Sequence, residues 1–286
     1  MDARFWLIQA FNGISYGALL FLVGSGLSLI FGVMRIVNLS HGSYFLLGGY
    51  VALSVIWTTG SWLLAIPVAA LTVALIGLVM ERVFLRPLGF DPLRQVLLTV
   101  GFAFLFQQAA LDIWTGNAFD INPPAALTQT VVVGGLHLPL YRIFMIAVAL
   151  FIGLTLWLVM EKTRLGATIR ATVDDAQMAR GVGIDTSYIS MLIFALGAFL
   201  AALGGVIGGA FLGVYPGLDF EMLPIAFAVV IIGGMGSLGG AAIGALLVGL
   251  ADNFGKALFP EISYFTLYAP MALILAVKPT GLFGRE

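Results

Sequence analysis

Long uncharged stretches alternate with short charged ones along this chain, and the interruptions fall at the spacing of membrane helices. Between Phe5 and Met80 the only Asp, Glu, Lys or Arg is Arg35, so that stretch alone has room for about three passages of ~20 residues each. Further uncharged runs cover Gln95–Leu111, Ile143–Met160, Thr186–Leu218, Leu223–Ala251 and Ile262–Val277. No small-residue cleavage site follows the first run, which is expected to stay as a permanent span. The pattern predicts an all-α, polytopic transmembrane bundle of about 8 segments.

Two runs are too long for a simple crossing. Phe5–Met34 and Leu223–Ala251 hold 30 and 29 residues, near 45 Å each as straight helices at ~1.5 Å per residue. Each must tilt, bend or break. Break points are expected at Gly24-Ser25-Gly26 and Asn38-Leu39-Ser40-His41-Gly42 in the first half, and from Gly233 to Gly240 in the second. Residues 24–59 and 223–252 are therefore expected to be re-entrant or fully spanning. Irregular backbone at membrane depth is tolerated only where protein or a wet cavity satisfies it, so paired interruptions point to a solute pathway. Close helix packing through glycine is the competing reading, and it applies equally to the Gly204/Gly208, Gly205/Gly209 and Gly240/Gly244 pairs.

Composition agrees with the pattern. The 286 residues carry 13 Lys+Arg and 14 Asp+Glu, where a soluble domain of this length holds about 72 charges. Hydrophobic residues make up 61% and mean hydropathy is +1.09. A net charge of -1 excludes a nucleic-acid binder, since no large basic face can be assembled. Zero cysteines exclude disulfides and thiolate chemistry. Basic residues gather at Arg82, Arg86 and Arg94, at Lys162, Arg164, Arg170 and Arg180, and at Lys278 and Arg285, which places these three regions on the cytoplasmic side. Segments 115–142, 213–222 and 252–261 are then outside, and the spans alternate consistently from Ser61 onward. Thr130–Leu138, two short apolar runs around Gly134-Gly135, is expected to form a hairpin in the outer loop.

Enzyme chemistry finds little support. Lys162-Thr163 is preceded by Glu161 where a phosphate-binding loop needs glycine. Ser237 with Gly239 approaches a nucleophile elbow, but position 235 is Met. With only His41 and His137 as bases, an intramembrane Ser237/His41 protease stays open as an alternative. Ionisable and polar groups within spans mark internal glue or a solute route. Asn38, Ser40, His41, Gly234, Gly236, Ser237, Gln107 and Gln108 are the candidate pathway residues. Arg35 beside them is expected to snorkel or to join the route, and Asp112 accompanies the two glutamines.

Glu161 to Asp185 holds eight charges and must lie outside hydrocarbon. Leu165, Ile169, Val173 and Ala176 recur at helical spacing, and Gly181 and Gly183 end the pattern. This reads as an amphipathic helix within a segment 161–187. Its mixed charge suits a protein partner better than an anionic lipid surface.

Three stretches, GLSLIFGVMRIVNLSHGSYFLLGGY at Gly26–Tyr50, RLGATIRATVDDAQMARGVGID at Arg164–Asp185 and GGMGSLGGAAIGALLVG at Gly233–Gly249, together resemble the permeases of branched-chain amino acid ATP-binding-cassette importers of the LivH kind. The resemblance implies a bacterial inner-membrane, multi-pass subunit that is not itself an enzyme and holds no cofactor. Its partners would be a homologous permease in a heterodimer, two cytoplasmic ATPases carrying ATP and Mg, and a periplasmic substrate-binding protein. It further implies that the Arg164–Asp185 segment couples to an ATPase through Leu165, Gly166, Ile169, Arg170, Ala171, Asp174, Ala176, Gly181 and Gly183. Relatives of this kind also serve urea, short amides and aromatic or carboxylic compounds. A stand-alone secondary transporter is the alternative from a different class.

Overall fold

Apolar runs become helices wherever they are long enough, because in hydrocarbon a helix satisfies backbone N–H and C=O groups within one segment. The computed structural model describes residues 3–89 and 91–284. They form α1 (Ala3–Met34), α2 (His41–Thr59), α3 (Trp62–Val79, prolonged by a π turn over Met80–Leu85), α4 (Pro92–Trp114), strands β1 (Thr130–Val133) and β2 (Leu136–Pro139), α5 (Leu140–Lys162), α6 (Arg164–Asp174), α7 (Ala176–Gly181), α8 (Thr186–Leu212), α9 (Leu218–Gly233), α10 (Leu238–Leu258) and α11 (Ser263–Val277). Among the described residues, six helices are long and apolar enough to cross a membrane: α1, the α3 unit, α4, α5, α8 and α10. α2, α9 and α11 are shorter, at 19, 16 and 15 residues. The chain is thus a polytopic all-α membrane protein; among its described residues the six long helices and these three shorter ones, α6 and α7 apart, stand where the sequence suggested about eight segments.

The break expected at Gly24-Ser25-Gly26 is absent, because α1 runs unbroken for 32 residues. Its glycines admit neighbouring helices. A Cβ on Gly24 would sit 2.6 Å from Val229 Cγ1 of α9, and one on Gly26 would sit 2.6 Å from the Gly197 carbonyl of α8. The α8 and α10 glycine pairs likewise serve packing within the chain: Gly205 faces the Phe45 carbonyl, Gly208 the Phe45 ring, and Gly244 the Val229 carbonyl. α1 and α8 form the interior, with about three quarters of their most apolar stretches buried, 72% and 78%. α4 and α5, at 22% and 17%, stand on the periphery. α5 packs along α1. Near β2 it is pinned by Tyr141 Oη donating to Ile207 O at 2.6 Å and by Arg142 donating to Asn12 Oδ1 at 2.7 Å.

One end of the bundle carries the hairpin. Gly134 and Gly135, at φ 57° and 80°, form its two-residue turn and set the Val133–Leu136 register, as a type I′ connection requires. Trp114 Nε1 donates to Ser54 Oγ at 2.7 Å and Phe119 bridges Val214 at this end. Arg82, Arg86 and Arg94, the α6–α7 segment and Lys278 lie at the opposite, basic end, in the predicted alternation; Arg285 lies outside the described residues. Two of the expected loops are largely helical. α9 begins at Leu218 and buries Asp219, while α10 continues through Asp252 and Lys256. Both charged positions are tolerated because they are partnered: Ser43 Oγ donates to Asp219 Oδ2 at 3.1 Å, and Lys256 pairs with Asp252 at 2.8 Å. The expected outer loop 115–142 is closed by the hairpin, with Leu140–Arg142 already in α5.

Candidate functional site

After α1 the backbone turns at Arg35, whose φ is 54°, and six non-helical residues climb back into the bundle. His41 Nε2 comes within 3.0 Å of Val23 O. Val23 lies eleven residues before the end of α1, about 16 Å along its axis. Residues 35–40 are therefore re-entrant, and α2 starts inside the protein. Asn38 makes that start possible, since its Oδ1 accepts from Ser40 N–H at 3.1 Å and from Ser40 Oγ at 2.7 Å, the side-chain turn that opens a helix. Leu39 N–H is satisfied by Thr99 Oγ1 of α4 at 3.2 Å, and Tyr44 Oη donates to Met80 Sδ at 2.9 Å in the π turn. Asn38, Ser40 and His41 are fully buried, yet Asn38 Nδ2 and His41 Nδ1 find no partner among the described residues. Because Asn38 satisfies the buried Ser40 N–H and gives Ser40 Oγ its shortest hydrogen bond, Asn38→Ala is expected to cost about 1–2 kcal/mol. The check is the unfolding midpoint in detergent, which should fall for Asn38→Ala and stay put for Asn117→Ala on the exposed loop.

The second interruption lies on the same helix. Between α9 and α10, Gly234 (φ 101°) and Gly236 (φ 84°) reverse the chain. A Cβ on Gly236 would meet Gly32 Cα at 3.0 Å, and Ser28 Oγ donates to Ser237 O at 3.3 Å. Ser237 Oγ accepts from Gly240 N–H at 3.0 Å and so caps α10. No hydrogen bond joins Ser237 to His41, whose Nε2 is engaged at Val23, so the two do not form a protease dyad. Thus α1 gathers both breaks, Asn38–His41 around Val23 and Gly234–Ser237 around Ser28 and Gly32. Gln107 and Gln108 are not brought to them. Gln107 is half-buried on α4, and Gln108 is exposed, where it donates to Asp112 of its own helix at 2.9 Å. Tyr44, Met80, Thr99 and the buried Glu81 were missed by sequence reasoning. The signal for Tyr44 was available, one helical turn after Ser40.

The charged segment forms two helices instead of one. Asp175 leaves α6, and its Oδ1 accepts from Gln177 and Met178 N–H at 2.9 Å each to start α7. Ala176 therefore belongs to α7, and the packed face of α6 is Gly166, Ile169 and Thr172, with Val173 partly buried. Leu165, expected on that face, is 39% exposed. Gly166 lies on the last carbonyls of α5, and Arg170 donates to Met160 O. Ala171 is half-buried, Asp174 is exposed, and Gly181 and Gly183 (φ 90°) end the segment as expected. Met178 and Val182 add to Leu165 an exposed apolar surface. A cavity of about 1020 Å³ separates α6 from the second break, with Arg35, Glu161, Arg170, Asp174, Gly236 and Ser237 on its walls.

Comparison with known sequences gives the family of this chain. Residues 9–275 match the family described as the branched-chain amino acid transport system permease component. The chain belongs to that family. This permease is 30% identical over 98% of its length to the high-affinity branched-chain amino acid transport system permease protein LivH of Escherichia coli, covering 96% of the relative. It is 29% identical, with the same coverage, to BraD of Pseudomonas aeruginosa, which bears the same description. The autoinducer 2 import system permease LsrC of Salmonella paratyphi B is 27% identical over 88% of this permease and 72% of its own length.

Proposed function

We propose that this permease is the membrane subunit of an ATP-binding-cassette importer in a bacterial inner membrane, carrying branched-chain or other small hydrophobic amino acids. In this reading a homologous permease completes the pathway, two ATPases bind ATP and Mg on the cytoplasmic side, and a periplasmic protein delivers the solute. The observation that carries it is the α6–α7 segment. It lies beyond the end of α5, packs Ile169 against residues of α1, α5 and α8, and leaves Leu165, Met178 and Val182 exposed for a partner. Nucleotide-driven closure of the ATPases would displace this segment, and the breaks gathered on α1 would change register between outward and inward access. Such a switch needs two states whose free-energy gap ATP binding can reverse. Asn38 Nδ2 and His41 Nδ1, buried and without a partner among the described residues, are polar points that a rearrangement of the first break would offer to a passing solute. The remaining proposed pathway positions are Ser40, Gly234, Gly236 and Ser237, with Gln107 and Gln108 on α4. The relative named for autoinducer 2 shows that cargo varies between related permeases. Urea, short amides and aromatic or carboxylic compounds therefore belong in the substrate panel.

The test is reconstitution of the four-component assembly in vesicles, with the binding protein first screened for thermal stabilisation by that panel. Uptake should require ATP and the ATPases. Arg170→Ala or Asp174→Ala should leave ATP hydrolysis running while uptake falls about tenfold. Uptake by the permease alone would instead identify a secondary carrier, and wild-type coupling in both variants would remove α6 from the drive.

A further inference from the structure

α9 ends inside the protein, so its last carbonyls must find donors beyond the helix. Gly234 N–H closes on Val230 O at 2.9 Å. Ile232 and Gly233, both buried, are satisfied from elsewhere: Leu282 N–H donates to Ile232 O and Phe283 N–H donates to Gly233 O, each at 2.9 Å. Backbone lies directly on backbone here. Gly281 has φ 79°, and a Cβ on it would fall 2.7 Å from Gly234 Cα; a Cβ on Gly234 would fall 2.8 Å from Gly284 Cα. A side chain at either position would force the two segments apart. The segment is braced in turn, with Gly281 N–H on Lys278 O at 2.9 Å and Lys278 Nζ donating to Leu282 O at 2.8 Å. Pro279, Thr280 and Phe283 also border the cavity that Arg170 and Asp174 face from the other side.

From this we infer that Lys278–Gly284 is a positioning segment for the break between α9 and α10. By supplying donors to Ile232 and Gly233 it fixes where α9 stops, and therefore how Gly234–Ser237 seats against Ser28 and Gly32 of α1. Its Pro279, Thr280 and Phe283 share the cavity wall with Gly236 and Ser237 of the break and with Arg170 and Asp174 of the coupling segment, so a change in the cavity's shape would act on this segment and the break together. The functional half of this inference rests on the importer reading above; the positioning half does not.

Leu282→Pro removes the donor to Ile232 O, Lys278→Met removes the brace while keeping every backbone bond, and Phe283→Ala keeps both backbone donors and trims a half-exposed ring. The chain has no cysteine, so a Met235→Cys thiol, at a 48% exposed position within the break, is a single reporter. In nanodiscs without nucleotide, Leu282→Pro should change its maleimide labelling rate at least fivefold and Lys278→Met about twofold, while Phe283→Ala matches the parent. In reconstituted importer, Leu282→Pro should lower uptake at least tenfold with ATPase copurification unchanged. Parent-like labelling in both Leu282→Pro and Lys278→Met would overturn the inference, and Lys278→Met decides it if Leu282→Pro does not accumulate. Absence of ATP-driven uptake in the unmodified assembly would tell against the importer reading alone, because the labelling arm uses no ATP.

Discussion

Gly205→Val is expected to leave no folded permease in the membrane. Gly205 of α8 lies against the backbone of α2, where an added Cβ would fall 2.8 Å from the Phe45 carbonyl carbon and nearer still to its oxygen. Three residues further along α2, Gly48 meets the Ala202 backbone of α8 in the same way. Overpacking between side chains costs about 1–3 kcal/mol because rotamers give way. Two helix backbones have no rotamers, so relief here means separating α2 from α8 along their length. That separation would expose Phe45, whose buried ring packs against Gly204 and Gly208 of α8. Gly101 on α4 is the counter-case, with no heavy atom within 4 Å of an added Cβ. Gly101→Ala should hold or raise stability by up to about 1 kcal/mol, the helix propensity difference. Size-exclusion profiles of detergent extracts separate the outcomes, and a monodisperse Gly205→Val protein with an unshifted melting midpoint would contradict the packing argument.

The second large effect concerns coupling. Gly166→Val should leave the spans folded but lift α6 from the end of α5, because its Cβ would lie 2.5 Å from Val159 O and from Met160 C. Arg170 would then lose its acceptor at Met160 O, and the Leu165, Met178 and Val182 surface would be presented at a new angle. The expected result is ATP-driven uptake reduced more than tenfold, with the amount of inserted permease unchanged. Gly181→Ala is the control within the same segment, since nothing lies within 4 Å of its Cβ. Equal uptake by both variants would show that the seat of α6 is immaterial.

Much of the architecture was legible in the sequence because membrane helices are marked twice, by apolar length and by the charges that stop them. The hairpin was legible as well, since Gly134-Gly135 between valine-rich and leucine-rich runs leaves few other conformations. What misled was glycine within long apolar runs. Gly24-Ser25-Gly26 and Gly234-Met235-Gly236 look alike as strings. Only the neighbours distinguish them: the first receives Val229 and Gly197 from other helices, and the second sits at positive φ. Gln107 and Gln108 were singled out together for polarity, but only Gln107 is half-buried, while the helix turns Gln108 away from Thr99, which faces the interior. Asp175 was read as one charge on an amphipathic face, whereas its carboxylate draws two N–H groups and starts a new helix. Asp219 looked like part of a loop because its partner, Ser43, is distant in sequence.

The sparse burial of α5 has a mechanical consequence. The helix is fixed beside the hairpin through Tyr141 and Arg142, rests along α1, and carries α6 at its far end. In the importer proposed above it would act as a lever of 23 residues, about 34 Å long, with its fulcrum beside the hairpin and its handle at the basic end of the bundle. A push of about 3 Å at the handle needs a swing of only about 5° over that length. The rod then leans on α1, the helix both breaks share, so one stroke would be felt at the two interruptions together.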